Sequence, residues 1–255
     1  MAALDGSVTR LTQTPETETD AKLSPKGGFA SFVRDGHLFV QALAGGDARE
    51  VAGEKTPKVS WGVAEFIAQE ELDRFDGHWW APDDSRIAVA RVDESPVEQV
   101  TRAAIGADGT RLFIQAYPAA GTANADVSLW LVNPDGTGKT KVDLSPSADI
   151  YVARVAWAVD GKTLYVQRLT RDQQRLDILA ADPATGASRV LASETAKTWV
   201  NIHDNFRPLK DGSILWASER DGYRHLYRFT SGTAQQLTSG RWVMDELVGV
   251  DEKRG

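Results

Sequence analysis

Short runs in which apolar and polar positions alternate recur along the whole chain. Phe29-Ala30-Ser31-Phe32-Val33, Arg86-Ile87-Ala88-Val89-Ala90, Thr163-Leu164-Tyr165-Val166 and Ser213-Ile214-Leu215-Trp216 all read as short strands. Asp-Gly pairs punctuate these runs at Asp35-Gly36, Asp108-Gly109, Asp135-Gly136, Asp160-Gly161, Asp211-Gly212 and Asp221-Gly222. Both residue types tolerate the positive φ of tight hairpin turns, so the pairs mark hairpins. The pattern predicts an all-β chain.

The strands also repeat as a unit: an apolar strand end, a turn built on Pro or Asp-Gly, and a returning apolar strand. The unit occurs around Leu23-Ser24-Pro25, Trp80-Ala81-Pro82-Asp83, Trp157-Ala158-Val159-Asp160-Gly161 and Pro208-Leu209-Lys210-Asp211-Gly212. Partner strands follow, as at His37-Leu38-Phe39-Val40 and His225-Leu226-Tyr227-Arg228-Phe229. A period near that of propeller blades implies stacked units, since one four-stranded blade cannot bury both its faces. The expected fold is a partial β-propeller of about four to five four-stranded antiparallel blades filling 1–255. The wide gap from Trp80 to Trp157 must hold an insertion or an extra, degenerate blade. Trp80, Trp157, Trp216 and Trp242 suit apolar contacts between blades.

One stretch breaks the alternation. Residues 64–75, Ala64-Glu65-Phe66-Ile67-Ala68-Gln69-Glu70-Glu71-Leu72-Asp73-Arg74-Phe75, predict a short helical insertion. If it is helical throughout, Glu70 and Glu71 fall four residues after Phe66 and Ile67, on the inward-facing stripe. Two adjacent carboxylates there would raise each other's pKa unless a cation, most simply a protonated amine, stood between them. The competing reading is a solvated helix face on which Glu70 pairs with Arg74 at i,i+4.

Composition narrows the function. A net charge of −7 with no Lys/Arg-rich patch argues against nucleic acid as a partner. The chain has no cysteine, which excludes disulfides, thiolate metal sites and a cysteine nucleophile. No apolar run reaches the length of a membrane span, and the first residues carry no signal pattern. The four histidines, His37, His78, His203 and His225, lack metal-ligand spacing, and no Gly-x-Ser-x-Gly elbow occurs. No metal, no cofactor and no catalytic residue is expected within the chain. Gly136-Thr137-Gly138-Lys139-Thr140 resembles the end of a phosphate loop, but its first glycine position is held by Asn133 in a turn signal.

Three blocks resemble one known family: Glu70-Glu71-Leu72-Asp73-Arg74-Phe75-Asp76-Gly77-His78-Trp79-Trp80-Ala81-Pro82-Asp83, Tyr117 to Val127, and Ser218-Glu219-Arg220-Asp221-Gly222-Tyr223-Arg224-His225-Leu226-Tyr227. They are similar to the glutamate motif, the Trp-Trp-Ser-Pro turn and neighbouring segments of dipeptidyl peptidase IV in its bacterial form, from about Thr14 onward. The resemblance implies an eight-bladed propeller joined to an α/β-hydrolase domain with a Ser-Asp-His triad. Such an enzyme removes N-terminal dipeptides with Pro or Ala second. Glu70 and Glu71 match the family's paired glutamates, which bind the free α-amine of a peptide substrate. Residues 93–124 match an extended arm that helps the family form a homodimer.

The hydrolase domain lies outside these 255 residues, so the chain alone is expected to be inactive and to work beside that domain of its parent protein. The family's propeller arginine has no clean counterpart here; Arg10 and Arg34 lie nearby without matching its motif, and the role stays unassigned. The parent is expected in the periplasm or outside the cell. The alternative is a non-catalytic propeller that binds proteins or peptides, because fold alone does not fix function.

Overall fold

The computed structural model describes residues 5–146, 149–230 and 232–254. Four antiparallel sheets follow one another as propeller blades. Blade 1 holds β1 (Glu18–Leu23), β2 (Phe29–Arg34), β3 (His37–Ala42) and β4 (Arg49–Ala52). Blade 2 begins with β5 (Val59–Trp61), leaves the sheet for helix α1 (Phe66–Glu71), and returns as β6 (His78–Trp80) and β7 (Ile87–Asp93). The chain leaves again for a two-stranded hairpin, β8 (Gln99–Gly106) and β9 (Gly109–Ala116), before β10 (Asp126–Val132) and β11 (Thr140–Lys141) complete the blade. Blade 3 comprises β12 (Ile150–Trp157), β13 (Leu164–Thr170), β14 (Arg175–Ala181) and β15 (Ser188–Thr195). Blade 4 comprises β16 (Phe206–Pro208), β17 (Ile214–Ser218), β18 (His225–Thr230) and β19 (Thr233–Gln236).

The described residues therefore form four blades. The long interval between Trp80 and Trp157 contains an excursion within blade 2 rather than a further blade. The Asp-Gly pairs stand at turns as expected: Asp35 and Gly36 both take positive φ, 50° and 74°, between β2 and β3.

The cores lie between blades. Val33, Leu38, Trp61, Trp80 and Ile87 join blades 1 and 2; Leu129, Leu131, Val152, Leu164 and Val166 join blades 2 and 3. Leu169, Ile178, Ile214, Trp216 and Phe229 join blades 3 and 4, with Leu72 from the α1 segment among them. Trp80 and Trp216 are buried here, and Trp157 donates its indole N–H to the Trp79 carbonyl at 3.0 Å. Trp242 instead lies on the surface with its ring edge against His225. Blades 2 and 3 each bury both faces against a neighbour, as radial stacking requires, and blades 1 and 4 each pack on one.

The first strand of blade 2 is split. β5 pairs with Arg91–Asp93 of β7, and β6 pairs with Ile87–Val89 of the same strand. Ala90 stands between the two pairings. Its carbonyl accepts the Gly62 amide at 2.9 Å, and its amide donates to the Gly77 carbonyl at 2.8 Å. The two glycines approach so closely that a Cβ on Gly77 would lie 2.1 Å from the Gly62 carbonyl carbon. The excursion that carries α1 is thus pinched shut at its base.

Among the described residues no helix is long and apolar enough to cross a membrane.

Candidate functional site

The α1 segment is shorter than its sequence predicts, and its ending decides the environment of the glutamates. The helix runs for six residues, Phe66–Glu71, with Leu72 as C-cap. Asp73 takes a left-handed conformation at φ 52°, which Asp tolerates better than most residues. The Arg74 amide then folds back to the Ala68 carbonyl at 2.8 Å.

Glu70 and Glu71 are consequently exposed, not on an inward-facing stripe. Projecting a 3.6-residue period through residues 64–75 fails because the helix stops at Glu71. The inward positions belong to Ala68 and Leu72, 0% and 4% exposed. The competing expectation agrees with the structure in its solvated face and is corrected in its ion pair: Arg74 does not pair with Glu70. It is buried, and its guanidinium meets Glu65 Oε2 at 2.6 Å, joining the residue that precedes the helix to the loop that follows it.

The segment is tied to blade 3 in both directions. Arg74 Nε donates to the Val152 carbonyl at 2.9 Å, and a terminal N–H donates to the Asp76 carbonyl at 2.6 Å. In return Arg154 donates to the Leu72 carbonyl at 2.7 Å and meets Asp204 at 2.5 Å. A register shift between Val152 and Arg154 marks a bulge in β12, the kind of irregularity that re-aims a side chain. Phe66, at the other end of α1, sets its ring edge-on to Tyr117 at the foot of the β8–β9 hairpin, 5.2 Å between centroids.

On the side facing blade 1, another bulge, between Thr19 and Lys22, brings Asp20 and Lys22 to β6. Lys22 pairs with Asp76 at 2.6 Å and donates to the His78 carbonyl at 2.7 Å. Burial pushes the Asp20 pKa up, but the hydrogen bond and charge of His78, together with Lys22, outweigh it and hold the carboxyl below its usual value.

Asp20, His78 and Ser31 stand in the order of a catalytic relay, with His78 Nδ1 3.2 Å from Asp20 and Nε2 2.9 Å from Ser31 Oγ. Both Ser31 and His78 are fully buried, and Ser31 Oγ also accepts the Trp80 indole N–H at 2.8 Å. A hydroxyl that no substrate carbonyl can reach is not a nucleophile, so this set is a polar tie between blades 1 and 2. Among the described residues no cluster of His, Asp and Glu is disposed to hold a metal ion.

The structure thus brings together two exposed carboxylates at the C-terminal end of a short helix, with the adjoining backbone immobilised by two arginines. Such an end can receive a cation: the carboxylates carry the charge, and the last helical carbonyls lack partners within the helix. Sequence reasoning singled out the two glutamates. It missed Glu65, Arg74 and Arg154 as their support, whose partners lie nine and 82 residues away.

A family model described as "Dipeptidyl peptidase IV (DPP IV) N-terminal region" matches residues 2–255. Human dipeptidyl peptidase 8 is 26% identical over 276 residues, covering 86% of this chain and 31% of the human protein. The inactive dipeptidyl peptidase 10 of Rattus norvegicus is 29% identical over 211 residues, 75% of this chain and 26% of that protein. The crystal structure of Porphyromonas gingivalis dipeptidyl peptidase 4 superposes with a TM-score of 0.87 at 26% identity, covering 95% of this chain and 35% of that one. The chain thus spans no more than 35% of the length of these relatives.

Proposed function

We propose, from the premise that this chain belongs to the dipeptidyl peptidase IV N-terminal region family, that it is the substrate-recognition propeller of a serine exopeptidase releasing N-terminal dipeptides with Pro or Ala second. Glu70 and Glu71 hold the α-ammonium of the substrate, and the reacting groups belong to a hydrolase domain of the same protein. The observation that carries this reading is the exposure of both carboxylates on an otherwise anchored segment: Glu70 and Glu71 face solvent while Leu72 and Arg74 beside them are buried.

A free α-amine has a pKa of about 7.7–8.0 and is mostly charged at neutral pH. Charge-assisted hydrogen bonds to two carboxylates contribute about 1.5–3 kcal/mol each. Holding the amine fixes its distance to the scissile bond, so the pair acts as a ruler that favours dipeptide release over internal cleavage.

The β8–β9 hairpin suits the role of a dimer arm. Its strands pair from Gln99–Ala116 to Gly106–Gly109, and almost every residue is exposed, Ile105 at 83% and Ile114 at 71% among them. A lone hairpin is marginally stable in water, and apolar groups on it favour a partner surface. A second copy of the chain is that partner in this reading.

The test is the full-length protein with Glu70→Gln, Glu71→Gln and both together, assayed on a Gly-Pro chromogenic amide. Each change should lower kcat/KM about ten-fold or more, one lost contact of about 1.4 kcal/mol being a factor of ten. Acetylating the substrate amine should hurt the wild type and leave the double variant little changed. Wild-type efficiency in the double variant would overturn the amine-holding role of the glutamates, and a full-length wild type that binds peptides without hydrolysing the amide would leave the alternative, a non-catalytic peptide-binding propeller, as the better reading.

A further inference from the structure

We infer that Arg154, with the Glu65–Arg74 pair, is a positioning device for the amine anchor: it fixes the backbone that presents Glu70 and Glu71 and so sets the affinity for a free N-terminus. The inference rests on the amine-anchor reading above and adds to it the residues through which blade 3 controls that anchor.

A helix of six residues has no stability of its own, because nucleation costs more than so few hydrogen bonds return. The flanking backbone also turns through a left-handed residue at Asp73. Something outside the segment must therefore define where the two carboxylates stand. Two side chains do so, Arg74 from within the segment and Arg154 from β12 of blade 3.

Arg74 spends its guanidinium on three acceptors: Glu65 before the helix, the Asp76 carbonyl after it, and the Val152 carbonyl of β12. It thereby closes the segment on itself and docks it to blade 3. Arg154, at the β12 bulge, donates to the carbonyl of Leu72, the residue next to Glu71, and is itself held by Asp204 in the approach to blade 4. The Leu72 side chain is buried in the core between blades 3 and 4. Backbone and side chain of the residue beside the anchor are thus both committed to the following blades. Neither arginine is bonded to Glu70 or Glu71, so neither occupies the carboxylate oxygens that a ligand would meet. An arginine pairing directly with a glutamate would compete with the ammonium; one bonding the adjacent carbonyl orients without competing.

Arg74 is buried, so its variants mix folding with positioning. Arg154 is partly exposed and carries the test. In the full-length protein, Arg154→Gln and Arg154→Lys are made in the wild-type and in the Glu70→Gln/Glu71→Gln background, and Gly-Pro p-nitroanilide hydrolysis and thermal unfolding are measured for each. Arg154→Gln should raise KM about ten-fold with kcat within about two-fold, since the loss lies in binding geometry and not in the reacting groups. Arg154→Lys, which keeps one N–H for the Leu72 carbonyl, should recover most of that loss.

In the glutamate double variant Arg154→Gln should cost less than about two-fold, because residues acting as one unit are not additive. An equal loss in both backgrounds, an unchanged KM, or a fall in kcat that tracks a lowered unfolding temperature would overturn the positioning role while leaving the anchor itself intact. If the glutamate double variant alone hydrolyses the substrate like wild type, the anchor reading fails first, and the positioning role with it.

Discussion

Blades 2 and 3 are adjacent and built to the same plan, yet they spend their residues differently. Blade 3 runs through four strands of seven or eight residues in sequential order, with hardly a residue outside the sheet except at turns. Blade 2 interrupts its first strand with the α1 segment and separates its second strand from its third by the β8–β9 hairpin. The regular blade supplies fixed points, the carbonyl of Val152 and the guanidinium of Arg154, and the irregular blade supplies exposed chemistry that leans on them. A propeller gains a site by keeping one blade plain and letting its neighbour depart from the pattern.

The sharpest way to break the comparison is to damage the plain blade. Ile178 is fully buried in the core between blades 3 and 4. Ile178→Ala should cost about 2–5 kcal/mol in chemical denaturation. Leu112→Ala on the hairpin, where the side chain is 68% exposed, should stay within about 0.5 kcal/mol. Similar costs at both positions would mean that the hairpin is part of the fold and not an attachment to it.

The pinch in blade 2 is the next largest effect. Gly77→Ala places a methyl within 2.2 Å of Gly62 and Val63 backbone atoms. It should destabilise the protein by about 1–3 kcal/mol, the usual cost of overpacking. Protection of the Ala90 amide from hydrogen exchange should fall with it, since that amide bonds to the Gly77 carbonyl.

Acid should separate the blades by charge. Asp177 in blade 3 is driven up by burial and driven down further by hydrogen bonds from Ser193 and Arg168 and by the charge of Arg175; the net effect is a pKa below its usual 3.8. A depressed carboxyl contributes stability that is whole above 3.8 and is lost as pH falls through the folded-state value. Denaturant midpoints should therefore hold steady down to about pH 4 and then drop, and Asp177→Asn should flatten that drop at the cost of lower stability throughout. The smallest effect on stability belongs to the two glutamates proposed to hold the amine: Glu70→Gln and Glu71→Gln, both exposed, should shift the unfolding free energy by less than about 0.5 kcal/mol. A larger shift would place these carboxylates in the structural framework.

Much of this was legible locally. Strands β2, β7, β13 and β17 follow from short apolar runs bounded by turn residues, although most of their residues are buried on both faces and not in alternation; the Asp-Gly turns follow from the backbone freedom of those residues, because a hairpin is decided by neighbours in the chain. The glutamates were legible as residues but not in their setting. In the sequence the helical period runs past Glu71, because a left-handed Asp73 leaves no apolar signature, and i,i+4 spacing matches Arg74 to Glu70 in a way that the turned chain abolishes. Arg154 was invisible for a different reason. Its partner at Leu72 lies 82 residues away, and only the stacking of one blade on the next brings them together.

The two glycines on Ala90 have a consequence for how such a protein can change over evolutionary time. Trp61 and His78 meet β7 at Arg91 and Val89, with Ala90 bridged between them, so the sheet passes beneath the excursion with its ladder unbroken. What lies between the glycines is, to the blade, a closed loop, and doubling the length of such a loop costs only about 0.6 kcal/mol in closure entropy. Exposed positions within residues 63–76 can be rewritten to meet new ligands at little cost to the fold, provided the two glycines and the buried ties at Glu65, Ala68, Leu72 and Arg74 stay. The pinch makes blade 2 a socket, and the glutamate segment one of the inserts it accepts.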